Sequence, residues 1–417
     1  MQDDSVIEFQ KPHEDPLTEL IRLGAQQLLE RAIQVELAEL LERFGDRRTE
    51  DGRAGVVRNG YQPPREILTG IGPVSVKIPK VRSRLTDPVV FQSVLVPPYV
   101  RRSRSLDAAI PWLYLKGVST GDMRSALEVL VGQDAKGLSA NVVSRLKRQW
   151  QQEYEAWGKQ RLDQNRWVYL WADGIYSRLR GDTDKLCVLV VIGVNERGEK
   201  HFLAIEDGVR ESKQSWREVL LNLKGRGLVT PPKLAAGDGA LGFWAALSEV
   251  YPATREQRCW MHKTGNVLNY LPKSSQPKAK KALQAIWMGE TRTLADAAFD
   301  QFVATYEAKY PKAVECLAKD RDALLAFYDF PAEHWIHLRT TNPIESSFAT
   351  IRHRTNRVKG CVSRETMLTM IFKLGQCAEK NWRRIRGFKH VAKVIEGVRF
   401  VDGIEQQNEA DQSKAAA

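Results

Sequence analysis

Three acidic residues, far apart in the chain, have the residue types and settings needed for metal-dependent chemistry. Asp173 ends the apolar segment VYLWA, Asp238 ends KLAAG, and Glu345 lies in the first turn of a predicted helix. If the two segments are neighbouring strands, both aspartates emerge at one sheet edge, where a packed helix can bring Glu345 close. Converging carboxylates repel one another unless a cation is present, and hard oxygen ligands suit Mg²⁺ or Mn²⁺. Two such ions about 4 Å apart support in-line displacement at a phosphodiester.

Each of these carboxylates also has an ordinary structural interpretation. Asp-Gly is a common turn dipeptide, and it occurs here at positions 51, 173, 207, 238 and 402. With Asn342 as the N-cap and Pro343 as the first helical residue, Glu345 occupies the carboxylate position of a capping box. The local pattern leaves both interpretations open.

The segments around the two aspartates follow an order that indicates a fold class. In residues 161–262, the segments WVYLWAD, LCVLVVIGV and KHFLAIEDG predict three consecutive strands, the middle one buried on both faces. A helix, the strand KLAAGDG, a second helix and the strand TREQRCW follow. Three strands, helix, strand, helix, strand is the order of a ribonuclease-H-like core. The sequence therefore predicts a multidomain α/β protein.

The core pattern is interrupted and then resumes. Residues 263–340 have a helical pattern throughout and predict an all-α insertion. Residues 341–405 contain the final helices of the core, including the helix that carries Glu345. Residues 406–417 are polar and are predicted to be disordered.

The region before the core changes in charge along its length. Residues 1–46 contain an acidic amphipathic helix, Leu17 to Phe44, that can pack on its own domain or mediate dimerisation. Residues 47–105 predict a basic β-hairpin with its turn at Gly70 to Pro73, suited to a DNA backbone. The candidate DNA contacts of the hairpin and the following loop are Lys77, Lys80, Arg82, Arg84, Arg101, Arg102 and Arg104.

Residues 106–160 predict a mainly helical region that can read DNA. Two helices joined by a short glycine-containing turn fit a helix-turn-helix. An ordinary helical hairpin with one solvated face fits the same pattern. On the first interpretation, the residues that contact DNA are Asn141, Arg145, Lys147 and Arg148.

Composition narrows the class of partner. The net charge is +12, and the basic excess is concentrated in residues 46–105 and 340–395. Such clusters can bind nucleic acid, because each neutralised phosphate releases counterions; solvated basic faces are the alternative. The longest wholly apolar segment, Leu186 to Val194, has nine residues, whereas a membrane-spanning helix needs about 20. With an acidic start and five scattered cysteines, neither secretion nor a disulfide framework is indicated, so a cytoplasmic location is expected.

Longer motifs extend over nearly the whole chain. They are REILTGIGPV (65–74), PPYVRRSRSLD (97–107), PWLYLKGVSTGDM (111–123), YLWADGIY (169–176), IEDGVRESKQSWREVL (205–220), GDGALGFWAAL (237–247), REQRCWMHKTGNVLN (255–269) and FPAEHWIHLRTTNPIES (330–346). This set resembles the bacterial insertion-sequence transposases of the mutator type.

The resemblance implies a DDE transposase. Asp173, Asp238 and Glu345 match the metal-binding triad of that family, with two Mg²⁺ or Mn²⁺ ions as cofactors and a helical domain inserted before the glutamate. It implies binding to terminal inverted repeats, cleavage at the element ends, and joining of the 3′-hydroxyls to target DNA. Because two ends must meet, at least a homodimer is expected on DNA, associated with the nucleoid.

The CWMH segment, Cys259 to His262, matches a C-x2-H signature of the same enzymes. His262 can contact the scissile phosphate or orient a ligand, or Cys259 can be a core residue beside Trp260. A third interpretation pairs the CWMH segment with His334 and His337 as a zinc site.

Aromatic and basic side chains near the triad supply further candidates. Trp260 and Trp287 can stack on an unpaired base, although a core position is favoured for Trp287. Four basic residues after Glu345 are expected to contact DNA phosphates. They are Arg352, Arg354, Arg357 and Lys359.

Two rival functions fit parts of this pattern. A catalytically silent DNA-binding derivative would occupy the repeats without cutting them, and the complete triad argues against it. A ribonuclease-H-fold DNA nuclease would only hydrolyse DNA, and it would need neither the N-terminal DNA reader nor the long insertion.

Overall fold

The computed structural model describes residues 16–116, 118, 123–131, 140–178, 185–208, 210–239, 241–346, 348 and 363–406. It is a mixed α/β protein with a helical N-terminal segment and a mixed β-sheet. The chain forms two compact units, Met1–Leu146 and Lys147–Ala417. The division falls inside a helix, ahead of the boundary near residue 160 that the sequence indicated. Across the described ranges, no helix has both the length and the apolar character needed to span a bilayer.

The first unit combines one long helix with short antiparallel strands. Its elements are α1 (Pro16–Arg43), β1 (Val56–Tyr61), β2 (Arg65–Thr69), β3 (Gly72–Val76), β4 (Pro79–Ser83), α2 (Arg104–Lys116), α3 (Met123–Val131) and the start of α4 (Ala140–Gly158). The predicted hairpin is confirmed: β2 pairs with β3, and Thr69 lies opposite Gly72. A second antiparallel pair joins β1 to β4. The connection at 132–139 lies outside the described residues, so the helix-turn-helix stays a prediction.

The inner face of α1 packs on the hairpin. Ile33 and Leu37 are buried, and their cluster also contains Ile67, Val74, Val76, Ile78, Phe91 and Val96. The carboxylate of Glu36 accepts hydrogen bonds from the backbone N–H groups of Val94 and Leu95, both at 3.1 Å. These contacts fix one face of α1 to its own unit.

The basic residues assigned to the hairpin lie elsewhere, which corrects that part of the prediction. Strand β4 pairs with β1 and is not part of the β2–β3 hairpin. Lys77 follows β3, Lys80 and Arg82 lie on β4, and Arg84 follows β4. The reason is local: Ile78 is buried in the core of the unit, so the chain turns away from β2 after β3 ends. The four basic side chains are exposed on or beside this second strand pair.

The second unit is built on a five-stranded sheet of order β7-β6-β5-β8-β9. The strands are β5 (Trp167–Arg178), β6 (Lys185–Asn195), β7 (Lys200–Gly208), β8 (Leu234–Gly237) and β9 (Arg255–Arg258). β6 is antiparallel to β5 and β7, while β8 is parallel to both β5 and β9. The predicted strand order is confirmed, and residues 187–194 of β6 are buried as expected.

Two helices follow the first three strands and pack on the sheet. They are α5 (Lys213–Gly225) and α6 (Leu241–Val250). Ser212 caps α5 by accepting a hydrogen bond from the backbone N–H of Ser215 at 3.1 Å. Trp216 and Phe243 meet edge to face with ring centroids 5.0 Å apart, and both belong to the apolar cluster under the sheet.

The described residues between β9 and the short strand pair near residue 400 are mainly helical. The helices are α7 (Trp260–Leu268), α8 (Gln276–Trp287), α9 (Arg292–Tyr306), α10 (Pro311–Ala318), α11 (Arg321–Leu325), α12 (Trp335–Leu338), α13, whose described part covers 342–346, α14 (Arg364–Glu379) and α15 (Val391–Glu396). The helical segment predicted to start at residue 263 begins at Trp260 instead. A short strand pair, β10 (Phe400–Val401) with β11 (Ile404–Glu405), follows α15. Residues 407–417 lie outside the described part.

Candidate active site

The two aspartates lie side by side at one edge of the sheet. Ala172 of β5 is in parallel register with Gly237 of β8, and Asp238 directly follows the last residue of β8. Asp173 lies inside β5, which continues to Arg178, so the prediction that this aspartate ends the first strand is wrong. The aromatic and β-branched residues of β5 favour a strand, whereas β8 has only four residues and ends just before Asp238. The expectation that the first and fourth strands are neighbours is therefore confirmed.

Asp173 is in an unfavourable position for a lone carboxylate. Its side chain is only 8% exposed, and no hydrogen bond or ion pair joins it to any residue within the described ranges. Burial raises the pKa of Asp173 to about 7, and the charges of Asp238, Glu211 and Glu345 act in the same direction, whereas His262 lowers it. Buried carboxylates are normally paired or bind metal ions, so the environment of Asp173 fits a cation ligand.

Glu345 reaches the same region from α13. The capping-box interpretation is wrong, because the helix already includes Asn342 and the backbone N–H groups of Ile344 and Glu345 bond to the carbonyl oxygen of Thr341, at 2.9 and 3.2 Å. Glu345 instead turns toward the CWMH segment. Its Oε1 lies 3.4 Å from Oγ1 of Thr341 and 3.5 Å from Nε2 of His262. The glutamate is thus held at the site by a hydroxyl and an imidazole.

Cys259 and His262 form a coupled pair at the start of α7. Cys259 is fully buried as the N-cap residue of the helix, and its Sγ accepts a hydrogen bond from the backbone N–H of Thr341 at 3.4 Å. The hydrogen bond with Cys259 raises the pKa of His262 to about 9, although burial opposes this shift. Burial would raise the pKa of Cys259, but hydrogen bonding to His262 lowers it overall.

This pair lies directly beside the catalytic glutamate candidate. Sγ of Cys259, a ring nitrogen of His262 and a carboxylate oxygen of Glu345 all lie within 4.8 Å of one another. Oγ1 of Thr341 contacts all three residues, at 3.4 to 3.5 Å. The interpretation that places His262 near the carboxylates therefore agrees with the geometry.

The zinc interpretation that joins CWMH to His334 and His337 is wrong. Nδ1 of His334 is 2.8 Å from the hydroxyl of Tyr169, and its Nε2 is 2.9 Å from the carbonyl oxygen of Gly387. Nε2 of His337 accepts a hydrogen bond from the backbone N–H of Arg386 at 2.9 Å. Both histidine rings therefore hydrogen-bond to the backbone of the segment after α14, and His334 also bonds to β5.

The base-stacking hypothesis is wrong for Trp260 and stays a prediction for Trp287. Trp260 is fully buried, and its indole N–H donates to the carbonyl oxygen of Leu324 at 2.8 Å. It is therefore a core residue that cannot stack on a base. Trp287 is half-buried, and the guanidinium of Arg339 lies 5.2 Å from its ring centroid.

A buried cationic cluster supports the edge of the sheet next to Asp238. The guanidinium of Arg258 lies so close to Gly239 that any Cβ there would overlap it. Arg258 pairs with Asp320 at 3.2 Å, and the ammonium of Lys263 also bonds to Asp320. These ion pairs tie β9 and α7 to the helical segment, which fixes the strand end that carries the site.

The sequence analysis missed a fourth carboxyl group. Glu211, just before α5, packs its side chain against Gly174, the residue after Asp173. Burial and the charge of Asp238 raise the pKa of Glu211. Glu211 lies within the motif at 205–220, but no local pattern in that segment indicates that its carboxyl group approaches Gly174.

The remaining predicted DNA contacts fall into three groups. Arg101, Arg104, Arg145 and Arg148 are exposed, Lys147 is half-buried, and Asn141 lies in the first turn of α4. Arg102 is 10% exposed and pairs with Asp107 at 2.7 Å, so a phosphate would have to compete for it. Arg352, Arg354, Arg357 and Lys359 lie outside the described residues.

A basic groove lies beside the segment that follows α14, and it was not predicted from the sequence. Its volume is about 740 Å³, and it combines guanidinium groups with apolar surface. The residues that carry this character are Arg339, Arg383, Arg384, Arg386, Trp335, Ile336 and Phe388. Arg384 pairs with Glu199 at 2.8 Å, whereas Arg383 and Arg386 are exposed.

Comparison with known proteins identifies the family. The profile described as "Transposase, Mutator family" matches residues 3–385. The chain belongs to the mutator family of transposases. Because the match includes the segments of Asp173, Asp238 and Glu345, the candidate site lies within the family's common region.

Two relatives of this mutator-family chain are similar over most of their length. The transposase for insertion sequence element IST2 of Acidithiobacillus ferrooxidans is 54% identical over 282 residues, which cover 68% of this chain and 95% of that protein. The transposase for IS6120 of Mycolicibacterium smegmatis is 50% identical over 298 residues, covering 72% and 92% respectively. The Drosophila P element transposase strand transfer complex matches at 9% identity over 70% of this chain and 84% of that chain, with a TM-score of 0.28, too low to support a conclusion about fold.

Proposed function

We propose that this transposase binds the terminal inverted repeats of an insertion sequence, cleaves at the element ends and joins the freed 3′-hydroxyls to DNA. Asp173, Asp238 and Glu345 hold two Mg²⁺ or Mn²⁺ ions for phosphodiester transesterification. The observation that carries the proposal is the convergence of Asp173 and Asp238 where the β5–β8 pairing ends, with Asp173 buried and unpartnered within the described ranges. Family membership supplies the substrate class.

The sheet supports a ribonuclease-H-like assignment for the core. Its order, β7-β6-β5-β8-β9, places the first strand in the centre, with the second antiparallel to it and the fourth and fifth parallel. Helices follow the third and fourth strands, as the sequence pattern required. In this arrangement the substrate would bind where the fourth strand ends beside the first.

The donor set fits hard divalent cations. Carboxylate oxygens are the preferred ligands of Mg²⁺ and Mn²⁺, and the mutual repulsion that raises the pKa of Asp173 falls when a cation lies between the groups. When bound, two such ions activate the attacking oxygen and stabilise the leaving oxygen of the phosphodiester. The chain itself holds Glu345 in place through Thr341 and His262.

His262 has a role in balancing charge. With a pKa of about 9 it is protonated at neutral pH, and its Nε2 lies 3.5 Å from Oε1 of Glu345. The imidazolium therefore offsets part of the negative charge that four neighbouring carboxyl groups create. Its position also allows contact with a phosphate that enters the site.

DNA recognition is assigned to residues before the core. The exposed basic side chains of the β4 strand and of the start of α4 are the proposed contacts with the repeats, and phosphate contacts of this kind fix register without reading sequence. A homodimer in the cytoplasm, associated with the nucleoid when bound, is the proposed working form. Two ends must be held together for joining, which requires at least two copies.

The deciding experiment incubates purified full-length protein with a labelled element end and Mg²⁺ and maps every product to the nucleotide. A nick at the element boundary followed by joined products supports the proposal, and EDTA should abolish both. Binding without a nick would establish the silent DNA-binding derivative. Cutting without end specificity or joining would establish the nuclease.

A further inference from the structure

Glu211 is held against the candidate site by two glycines that come from different elements. Its carboxyl group occupies the space that any Cβ at Gly174 would need, and Gly174 directly follows Asp173. Its backbone carbonyl similarly occupies the space of a Cβ at Gly242, four residues after Asp238. The chain segments that carry both aspartates therefore leave room for Glu211 and for no larger side chain at either glycine.

The carboxyl group of Glu211 is only partly satisfied. The hydroxyl of Tyr176 on β5 hydrogen-bonds to it, but Oε2 is buried and has no hydrogen-bond partner among the residues that the structure describes. A buried carboxylate oxygen without a partner destabilises the folded protein, because it loses its hydration and gains no hydrogen bond in return. Such an oxygen needs either a proton or a cation.

The neighbours of this oxygen point to a cation. The charge of Asp238 acts on Glu211, and the charge of Glu211 acts on Asp173, so the three carboxyl groups share one region. Asp173, more than nine-tenths buried, likewise has no partner within the described ranges. A buried carboxyl group without a partner, next to a half-buried one with an unpaired buried oxygen, is expected where a divalent ion binds.

A purely structural role explains less. The N-cap of α5 is Ser212, which already accepts the hydrogen bond from Ser215, so the carboxyl of Glu211 is not required for capping. The contact with Tyr176 would satisfy one oxygen and leave the other buried without a partner. Neither interaction explains why Glu211 is packed against two residues, Gly174 and Gly242, that have no side chain.

We propose that Glu211 is a fourth carboxylate of the divalent-cation site, contributing a ligand oxygen to an ion shared with Asp173 and Asp238. This inference rests on the proposed two-metal function and extends it from three carboxylates to four. Four carboxylates also balance the charge of two divalent ions, which the triad alone does not.

The test measures Mn²⁺ binding directly, without reference to activity. Full-length wild type, Glu211→Gln and the matched control Glu218→Gln, an exposed residue of α5 that contacts Gln214, are titrated with Mn²⁺ by electron paramagnetic resonance. We expect the Glu211→Gln protein to bind Mn²⁺ at least about 10-fold more weakly, since even supporting residues of metal sites change affinity 10- to 100-fold. The control should bind like the wild type. Unchanged binding by a folded Glu211→Gln protein would overturn the inference.

Two further variants separate this inference from the proposed function and guard against misfolding. If Glu211→Gln fails to fold, Glu211→Asp keeps the charge but shortens its reach, and it should bind Mn²⁺ more weakly; wild-type affinity would count against the inference. Asp173→Asn is the reference for the site itself. If Asp173→Asn loses Mn²⁺ binding while Glu211→Gln keeps it, the cation site exists and Glu211 is not part of it. If both variants keep full binding, the proposed cation site itself is wrong.

Discussion

Asp173 and Asp238 lie side by side, because the residues before them, Ala172 on β5 and Gly237 on β8, are paired in parallel register. The side-by-side placement concentrates negative charge at one strand edge. The burial of Asp173 then raises its pKa to about 7. Without a bound cation, the ionised carboxylate of Asp173 therefore destabilises the folded protein, and a neutral side chain at this position should stabilise it.

We expect Asp173→Asn to abolish function while stabilising the metal-free protein. Cleavage and joining should fall by at least about 1,000-fold, the equivalent of several kcal/mol of metal-assisted stabilisation. A carboxyl whose pKa rises from 3.8 in the unfolded chain to about 7 in the folded protein opposes folding fully above pH 7. In EDTA at pH 8, the free energy of unfolding should therefore rise by about 2 to 4 kcal/mol.

The measurements for this variant are end cleavage with Mg²⁺ and urea denaturation in EDTA. Asp51→Asn is the matched control, because Asp51 also precedes a glycine but is exposed and lies in the first unit. It should change neither quantity. Normal joining by Asp173→Asn would remove this residue from the site.

Thr341 should position Glu345 and His262. Its hydroxyl lies 3.4 Å from Oε1 of Glu345 and 3.5 Å from Nδ1 of His262, and valine keeps its shape without the hydroxyl. We expect Thr341→Val to lower Mn²⁺ affinity and the cleavage rate by about 10- to 100-fold, with the far-ultraviolet circular dichroism unchanged. Thr305→Val, on the exposed face of α9, is the control. Equal effects of the two substitutions would show that Thr341 contributes only packing.

The central sheet could be predicted from the sequence because its signals are strong and local. Residues 186–194 are wholly apolar, as a strand buried on both faces requires, and turn residues separate the first three strands. The neighbouring positions of Asp173 and Asp238 then followed from strand order. These features depend on pattern within segments of about ten residues.

Features that depend on contacts between distant segments could not be predicted. Strand β4 pairs with β1 across a hairpin, so the basic residues near Lys80 were given the wrong partner. Glu211 meets Gly174 only after β5 and the loop before α5 fold together. The sequence spacing of His334 allowed a metal ligand, but in the fold its two ring nitrogens contact Tyr169 and Gly387. In each case the spacing was compatible with several three-dimensional partners.

The groove after α14 should bind DNA phosphates. Arg383 and Arg386 are exposed on its rim, and each phosphate contact contributes about one unit to the slope of log affinity against log salt. We expect Arg383→Ala with Arg386→Ala to weaken DNA binding at low salt and to reduce this slope by about two. Fluorescence anisotropy at several salt concentrations measures both.

The control for the groove removes the same charge elsewhere. Lys278 and Lys281 are exposed on α8, and their double alanine variant should retain most of the salt dependence. If both double variants lose equal affinity, the effect comes from net charge and the groove has no specific part in binding.

His337 should make the protein sensitive to acid. Burial lowers the pKa of His337 to about 4, with Lys200 acting in the same direction, so the folded protein keeps this ring neutral while the unfolded chain protonates it near pH 6.5. Stability is therefore present above pH 6.5 and is lost as the pH falls toward 4, by about 2 to 3 kcal/mol after allowance for partial exposure.

His337→Gln keeps an acceptor for the backbone N–H of Arg386 but has no titrating ring. Urea denaturation at pH 4.5 and pH 7.5 should show a smaller loss of stability in the variant than in the wild type. The comparison at pH 7.5, where the histidine is neutral in both states, corrects for any change in packing. An identical pH dependence would exclude His337 as a source of acid sensitivity.

The outer face of α1 should mediate self-association. Leu20 and Leu28 are each 67% exposed, and Leu17, Ile21 and Val35 add exposed apolar surface at helical spacing on the same element, while the opposite face packs on the hairpin. A helix with apolar residues on two faces is expected to bury the second one against another chain. We expect Leu20→Glu with Leu28→Glu to convert a dimer to a monomer in sedimentation experiments. Val90→Glu with Tyr99→Glu, also exposed in this unit but outside α1, should leave the mass unchanged, and a dimer that survives the α1 substitutions would place the interface elsewhere.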